Sequence, residues 1–118
     1  MSERVMSKEE MEKVLSTQMY GMLALTDGDK LYCIPLPFTY TKNAIYVGFF
    51  PRGRIWKYIQ NNNACFCTWE QGKGGGGSYS VIVEGKIVKV TDLAEIKLML
   101  EASAMKRGRD TKWIEERI

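Results

Sequence analysis

Histidine is missing from all 118 residues. Without it the chain cannot build a Ser-His-Asp or Cys-His nucleophile system, nor a His-ligated zinc or haem. A general base near neutral pH would have to be a perturbed carboxylate, lysine or cysteine, and no pairing in the sequence points to one. Cysteine is scarce: Cys33, Cys65 and Cys67. An odd number, with no secretory apolar region in MSERVMSKEE, argues against a disulfide framework and for a cytoplasmic protein. Cys65 and Cys67 stand two apart on an expected strand and so share a face, but without a second pair they make poor zinc ligands. All three read as buried free thiols. No apolar run approaches the ~20 residues that span a bilayer, so no membrane partner is expected. The net charge of +3 is too mild to indicate nucleic acid, and RGRIWKY, where basic and aromatic residues interleave, stands without a broader basic surface. Any chemistry is expected to be carried by a bound cofactor.

What is present organises the chain as one domain over 1–118. Its expected parts are an N-terminal helix within 1–18, a barrel over 20–91 with an inserted helix 53–62, and a helical segment 92–118. Ser7-Lys8-Glu9-Glu10 is a capping box, and Met11, Val14 and Leu15 follow at helical spacing, which predicts a helix over 7–17. YGMLALT at 20–26 and Leu31 to Tyr40 flank Asp27-Gly28-Asp29, a hairpin signal. Pro35 and Pro37 have no N–H, so the second strand lies at an edge or turns its backbone to something other than a neighbouring strand. Ile45 to Phe50 is a third strand. Helix 53–62 is expected to turn Ile55, Trp56 and Ile59 inward and to end at Asn61-Asn62-Asn63, where asparagine tolerates a left-handed cap. Strand 64–70 and the glycine-rich loop 71–78 follow. Residues 79–91 read as the longest strand, with a phase slip at Gly85 that suggests a bulge. Asp92 and Glu95 start a helix 93–106 that buries Ile96, Leu98, Met99 and Leu100 and ends near Gly108. The tail DTKWIEERI reads as a further helical turn or two. The order is helix, three strands, helix, two strands, helix. It predicts a mainly β protein with flanking helices, a small antiparallel split β-barrel rather than a parallel dinucleotide-binding sheet.

The block 45–67 carries the clearest functional signal. Arg52, Gly53 and Arg54 fall where a strand hands over to a helix. Backbone N–H groups at a helix start have no intrahelical partner, and two guanidiniums beside them make a seat for a phosphate.

Four segments resemble the FMN-binding split-barrel family that includes pyridoxamine 5'-phosphate oxidase and the nitroimidazole-resistance proteins. They are Gly21-Met22-Leu23-Ala24, Tyr32 to Phe38 (YCIPLPF), Ile45-Tyr46-Val47-Gly48 leading through Pro51-Arg52-Gly53-Arg54, and Tyr79-Ser80-Val81-Ile82-Val83-Glu84-Gly85. The resemblance implies an FMN-binding homodimer acting as a small flavin-dependent oxidoreductase, with the cofactor in a cleft between the two copies. Arg54, with Gly53 and Arg52, would hold the phosphate. Main chain at Ile34, Pro35 and Leu36, and at Val47 and Gly48, would meet the flavin ring and ribityl chain, and Ser80 would touch the flavin. Two positions depart from the family: Ile55 stands where a lysine is usual, and Gly48 where nitroimidazole-resistance proteins usually carry histidine. Within the same fold the cleft suits a deazaflavin equally. The other alternative is a non-catalytic flavin-binding protein or a ligand-free scaffold.

Overall fold

The structure is a computed structural model, and it describes residues 6–49, 52–71 and 78–108. Helix α1, Lys8–Thr17, starts at the capping box: Ser7 Oγ accepts from the Glu10 N–H at 3.2 Å, and Glu10 Oε1 accepts from the Ser7 N–H at 3.1 Å. Strands β1, Tyr20–Asp27, and β2, Lys30–Thr41, join at a tight turn in which Gly28 takes φ +66°. Lys42 and Asn43, both at positive φ, form the next hairpin turn into β3, Ala44–Val47. Helix α2, Gly53–Ile59, is followed by β4, Asn63–Gln71, β5, Ser78–Lys86, and helix α3, Leu93–Lys106. Asn62 at φ +71° makes the left-handed exit between α2 and β4.

The five strands form one antiparallel sheet in the order β3-β2-β1-β4-β5, curled as a half-barrel. Alternation along each strand sorts the side chains. Leu23 and Leu25, Leu36 and Phe38, Phe66 and Val81 point to one face and meet Val14 and Leu15 of α1 and Ile55 and Tyr58 of α2 in the core. Phe38 and Phe66 pack edge to face at 4.9 Å between ring centroids. The Phe66 ring lies over Gly21, where a Cβ would run into Phe66 Cζ, so the first strand needs glycine there for space. Thr68, fully buried, donates its hydroxyl to the Tyr20 carbonyl at 2.9 Å and ties β4 to β1.

The prolines of β2 find their explanation in this pairing. The Phe38 N–H bonds back to the Met19 carbonyl, on the β1 side. Alternation then directs the main chain of Ile34 and Leu36 toward β1, and that of Cys33, Pro35 and Pro37 toward the opposite edge. β3 pairs with β2 only over Phe38 to Thr41, so among the described residues that edge is open beside the prolines. Proline is admitted where no ladder bond is lost.

Several expectations are corrected. The three thiols are not core residues: Cys33 is exposed, and Cys65 and Cys67 are half-buried. They stand opposite Ala24 and Met22 on the face away from the core, because the two-residue period that unites them also takes them out of phase with Phe66 and Thr68. Trp56 is 41% exposed; Tyr58 takes the inward place beside Ile55, because the helix turns by 3.6 residues. The longest strand is β2, not the segment 79–91. β5 keeps regular register with β4 up to Lys86 and stops there, so Gly85 marks the approach of a strand end rather than a bulge. On α3, Leu98 is exposed and Ala104 is the buried residue, since only one narrow stripe meets β2. Phe50, Pro51, the glycine run Gly74 to Gly77 and the tail from Arg109 lie outside the described residues.

Candidate functional site

The predicted residues divide into one group and its exceptions. α2 packs against β1, and its first turn brings Arg54 over the Tyr32 side chain of β2, guanidinium carbon 5.9 Å from the ring centroid. Tyr32 in turn lies 5.4 Å from the Tyr58 ring. Ile34 stands two residues along from Tyr32 on the same face, followed by Pro35 and Leu36. Val47 pairs with Phe38 at the end of β3, Gly48 comes next, and Arg52 and Gly53 open α2. Pro35, Val47 and Gly48, and Arg52 to Arg54 therefore lie toward the open edge of β2 and the turn above it, whereas Ile34 and Leu36, expected to offer main chain to a ligand, turn that main chain to β1. Ser80 does not join them. It lies on β5, where it pairs with Trp69 of β4, three strands from β2, or about 14 Å across the sheet at normal strand spacing.

Local geometry at the turn suits a phosphate. Gly53 has φ +78°, which only glycine adopts without strain. A Cβ built at Gly48 or Gly53 would meet nothing within 4 Å, so the backbone there is approachable. Arg52, the N-cap residue, makes no side-chain bond to the first turn of α2, and Arg52, Gly53 and Arg54 are all exposed. Ile55, at the departure from the family pattern, is buried in the core, so its own side chain packs rather than facing a ligand.

Two contributors escaped sequence reasoning. Tyr32 supplies the aromatic face under Arg54, and Cys33, exposed, turns its main chain to the open edge. Strand alternation, once anchored on Phe38, identifies both. Burial, then the neighbouring Cys65 and Cys33, push the Cys67 thiol upward and favour its protonated form. Among the described residues no group of three or more Cys, Asp and Glu is placed to hold a metal ion, and no helix is long and apolar enough to cross a membrane. A separate cavity of about 410 Å³ lies between the β2–β3 hairpin and α3, bordered by Lys42, Tyr46, Asp92, Glu95 and Met99. None of the predicted cofactor residues borders it. Its acids serve the helix start: Asp92 accepts from the Ala94 N–H at 3.1 Å. Tyr46 is held above the usual phenol range, by burial first and by Glu95 second.

Comparison with known proteins agrees with this architecture. Residues 7–117 match the family model described as pyridoxamine 5'-phosphate oxidase, and the chain belongs to that family. Among solved structures it is similar to an FAD-binding protein from Mesorhizobium loti, at 28% identity over 88% of this chain and 77% of that one, TM-score 0.73. It shares its fold with the FAD-binding protein of Mycobacterium smegmatis, at 21% identity over 86% and 78% of the two chains, TM-score 0.70. A candidate 5-nitroimidazole antibiotic resistance protein from Bacteroides thetaiotaomicron has the same fold, at 22% identity over 90% and 69%, TM-score 0.78. A search of curated proteins finds no match.

Proposed function

We propose that this chain binds FMN at the open edge of β2 and works as a small cytoplasmic flavin-dependent reductase, as a homodimer. The observation that carries the reading is the convergence of Arg54 and the approachable Gly53 turn on the strand half whose outward backbone has no strand partner among the described residues. Arg54 and Arg52 would take the phosphate oxygens, since a guanidinium offers two parallel donors to such a group. The carbonyls of Cys33, Pro35 and Pro37 and the Cys33 N–H would face the edge of the ring system. Bound flavin would supply hydride transfer; the chain supplies position and charge. Family membership and the FAD-binding protein of Mesorhizobium loti support a flavin. The single turn with two arginines favours FMN over a dinucleotide.

Two features support the dimer. The sheet face away from the core carries Tyr20, Leu31, Trp69 and Ile82 with 64, 83, 49 and 63% of their surface exposed, an apolar area of the kind that marks an association surface. Ser80 stands three strands from β2 within one chain, so a second copy is the proposed route by which it would meet a cofactor held by Arg54. Equilibrium titration with FMN, FAD, riboflavin and a deazaflavin tests the assignment, together with sedimentation of the loaded protein. The reading expects a yellow dimer that prefers FMN. Preference for FAD or the deazaflavin would reassign the cofactor, and no uptake of any would leave a ligand-free scaffold.

A further inference from the structure

The last turn of α3 carries a polar cluster that the flavin site does not use. Lys106 Nζ donates to the Phe38 carbonyl at 3.1 Å and lies 4.0 Å from the centre of the Phe38 ring. Arg107 Nη2 donates to the same carbonyl at 3.0 Å, while its Nη1 donates to Ser103 Oγ at 2.9 Å and to Thr39 Oγ1 at 3.3 Å. Sharing one acceptor keeps the amine and the guanidinium nitrogen within about 6 Å of each other.

Cations are ordinary in the last turn of a helix, where they complement the dipole. That does not account for an amine folded back over an aromatic ring, beside a guanidinium and opposite a neutral carbonyl. Burial first, and the Arg107 charge second, bring the Lys106 ammonium down to about 8. A desolvated lysine beside another cation is the arrangement that activates an amine toward carbonyl compounds. Ser103, Thr39 and the Phe38 carbonyl take the Nη1 donors and one Nη2 hydrogen of Arg107, and of its five N–H groups the Nε–H and the second Nη2 hydrogen are those that would face a carboxylate or phosphate.

We propose that Lys106 and Arg107 form a capture site for small aldehydes bearing an anionic group, with Lys106 as the nucleophile and Arg107 as the anion anchor. The neutral Lys106 amine attacks the aldehyde carbon and one of its protons passes to the carbonyl oxygen, giving a carbinolamine. Loss of water, which removes that oxygen and the second nitrogen proton, leaves an imine. The Phe38 carbonyl keeps Arg107 as its donor when Lys106 leaves it.

Glyoxylate is the probe, with propionaldehyde as the uncharged control and cyanoborohydride to reduce the imine to a stable amine. Peptide mapping of the full wild-type chain near neutral pH reads the result. Lys106 is expected to accumulate adduct on the order of tenfold faster than the other lysines, and to prefer glyoxylate over propionaldehyde where they do not. Arg107→Gln should abolish that preference while propionaldehyde still labels Lys106. Even labelling of all lysines by both aldehydes, or an unmodified Lys106, overturns the proposal. Because the comparison is among lysines of the unaltered chain, it does not depend on the variant folding.

Discussion

Strand β2 is two strands in one. From Lys30 to Pro37 it pairs with β1 alone, and its outward positions, Leu31, Cys33, Pro35 and Pro37, are exposed. From Phe38 to Thr41 it pairs with β3, Phe38 and Thr39 are buried at 1 and 4% exposure, and Lys106 and Arg107 fasten the Phe38 carbonyl to α3. The same chain of backbone donors and acceptors is thus saturated in one half and left with an open side in the other. The lesson is that part of a strand can stay open where proline removes ladder donors while the neighbouring part is paired and anchored, and it is this open part that the proposed flavin site would use.

The largest expected effect tests the anchored half. Phe38→Ala deletes a fully buried ring packed on Phe66 and should destabilise the fold by about 3–5 kcal/mol in chemical denaturation. Gly21→Ala acts on the side of the open half that faces β1, where Gly21 pairs with Leu36 beneath the Phe66 ring. Displacing that ring should cost roughly 1–3 kcal/mol by the same measurement. Pro35→Ala should change stability by less than about 1 kcal/mol, because its nitrogen faces the open edge and no ladder bond is at stake. A large loss there would place Pro35 in a pairing the open edge does not have.

The smallest effect is the pH response of the clamp. Lys106 is charged in the unfolded chain up to its ordinary value of 10.5, but in the fold only up to about 8. Between those values the unfolded state binds more protons, so the Lys106 contribution to stability improves as pH rises from 8 toward 10. The charge acting on it is Arg107; the β2 side presents a ring and a carbonyl, which do not titrate. Stability curves of the wild type and Lys106→Met should therefore differ most below pH 8 and converge or cross above it. Parallel curves would mean the amine is not desolvated in solution.

Much of this fold was legible in advance, for physical reasons that particular residues show. Ser7 and Glu10 announced α1 because a capping box is a local device, and Asp27-Gly28 announced the first hairpin because positive φ selects glycine. Pro35 and Pro37 admit two explanations for β2, an edge or a backbone turned elsewhere; β2 is an inner strand of the sheet, but β3 covers it only over Phe38 to Thr41, so among the described residues its proline-bearing half is locally an edge. Long-range choices were not legible. Nothing local tells which face of β4 meets the helices: a two-residue period fits Cys65 and Cys67 to the core as well as it fits Phe66 and Thr68, which occupy it. The gathering of Arg54 and Tyr32 depends on where α2 packs, and the Lys106–Arg107 grip on Phe38 spans 68 and 69 residues, beyond the reach of any pattern in the chain.

The most direct test of the open-edge account is the affinity of wild type and Arg54→Ala for FMN and for riboflavin, followed by flavin absorbance near ~450 nm and calorimetry. Arg54→Ala should weaken FMN by on the order of ten- to a hundredfold and leave riboflavin, which has no phosphate, within about twofold. Equal loss for both ligands, or no loss for either, would contradict a phosphate held by Arg54 at this edge.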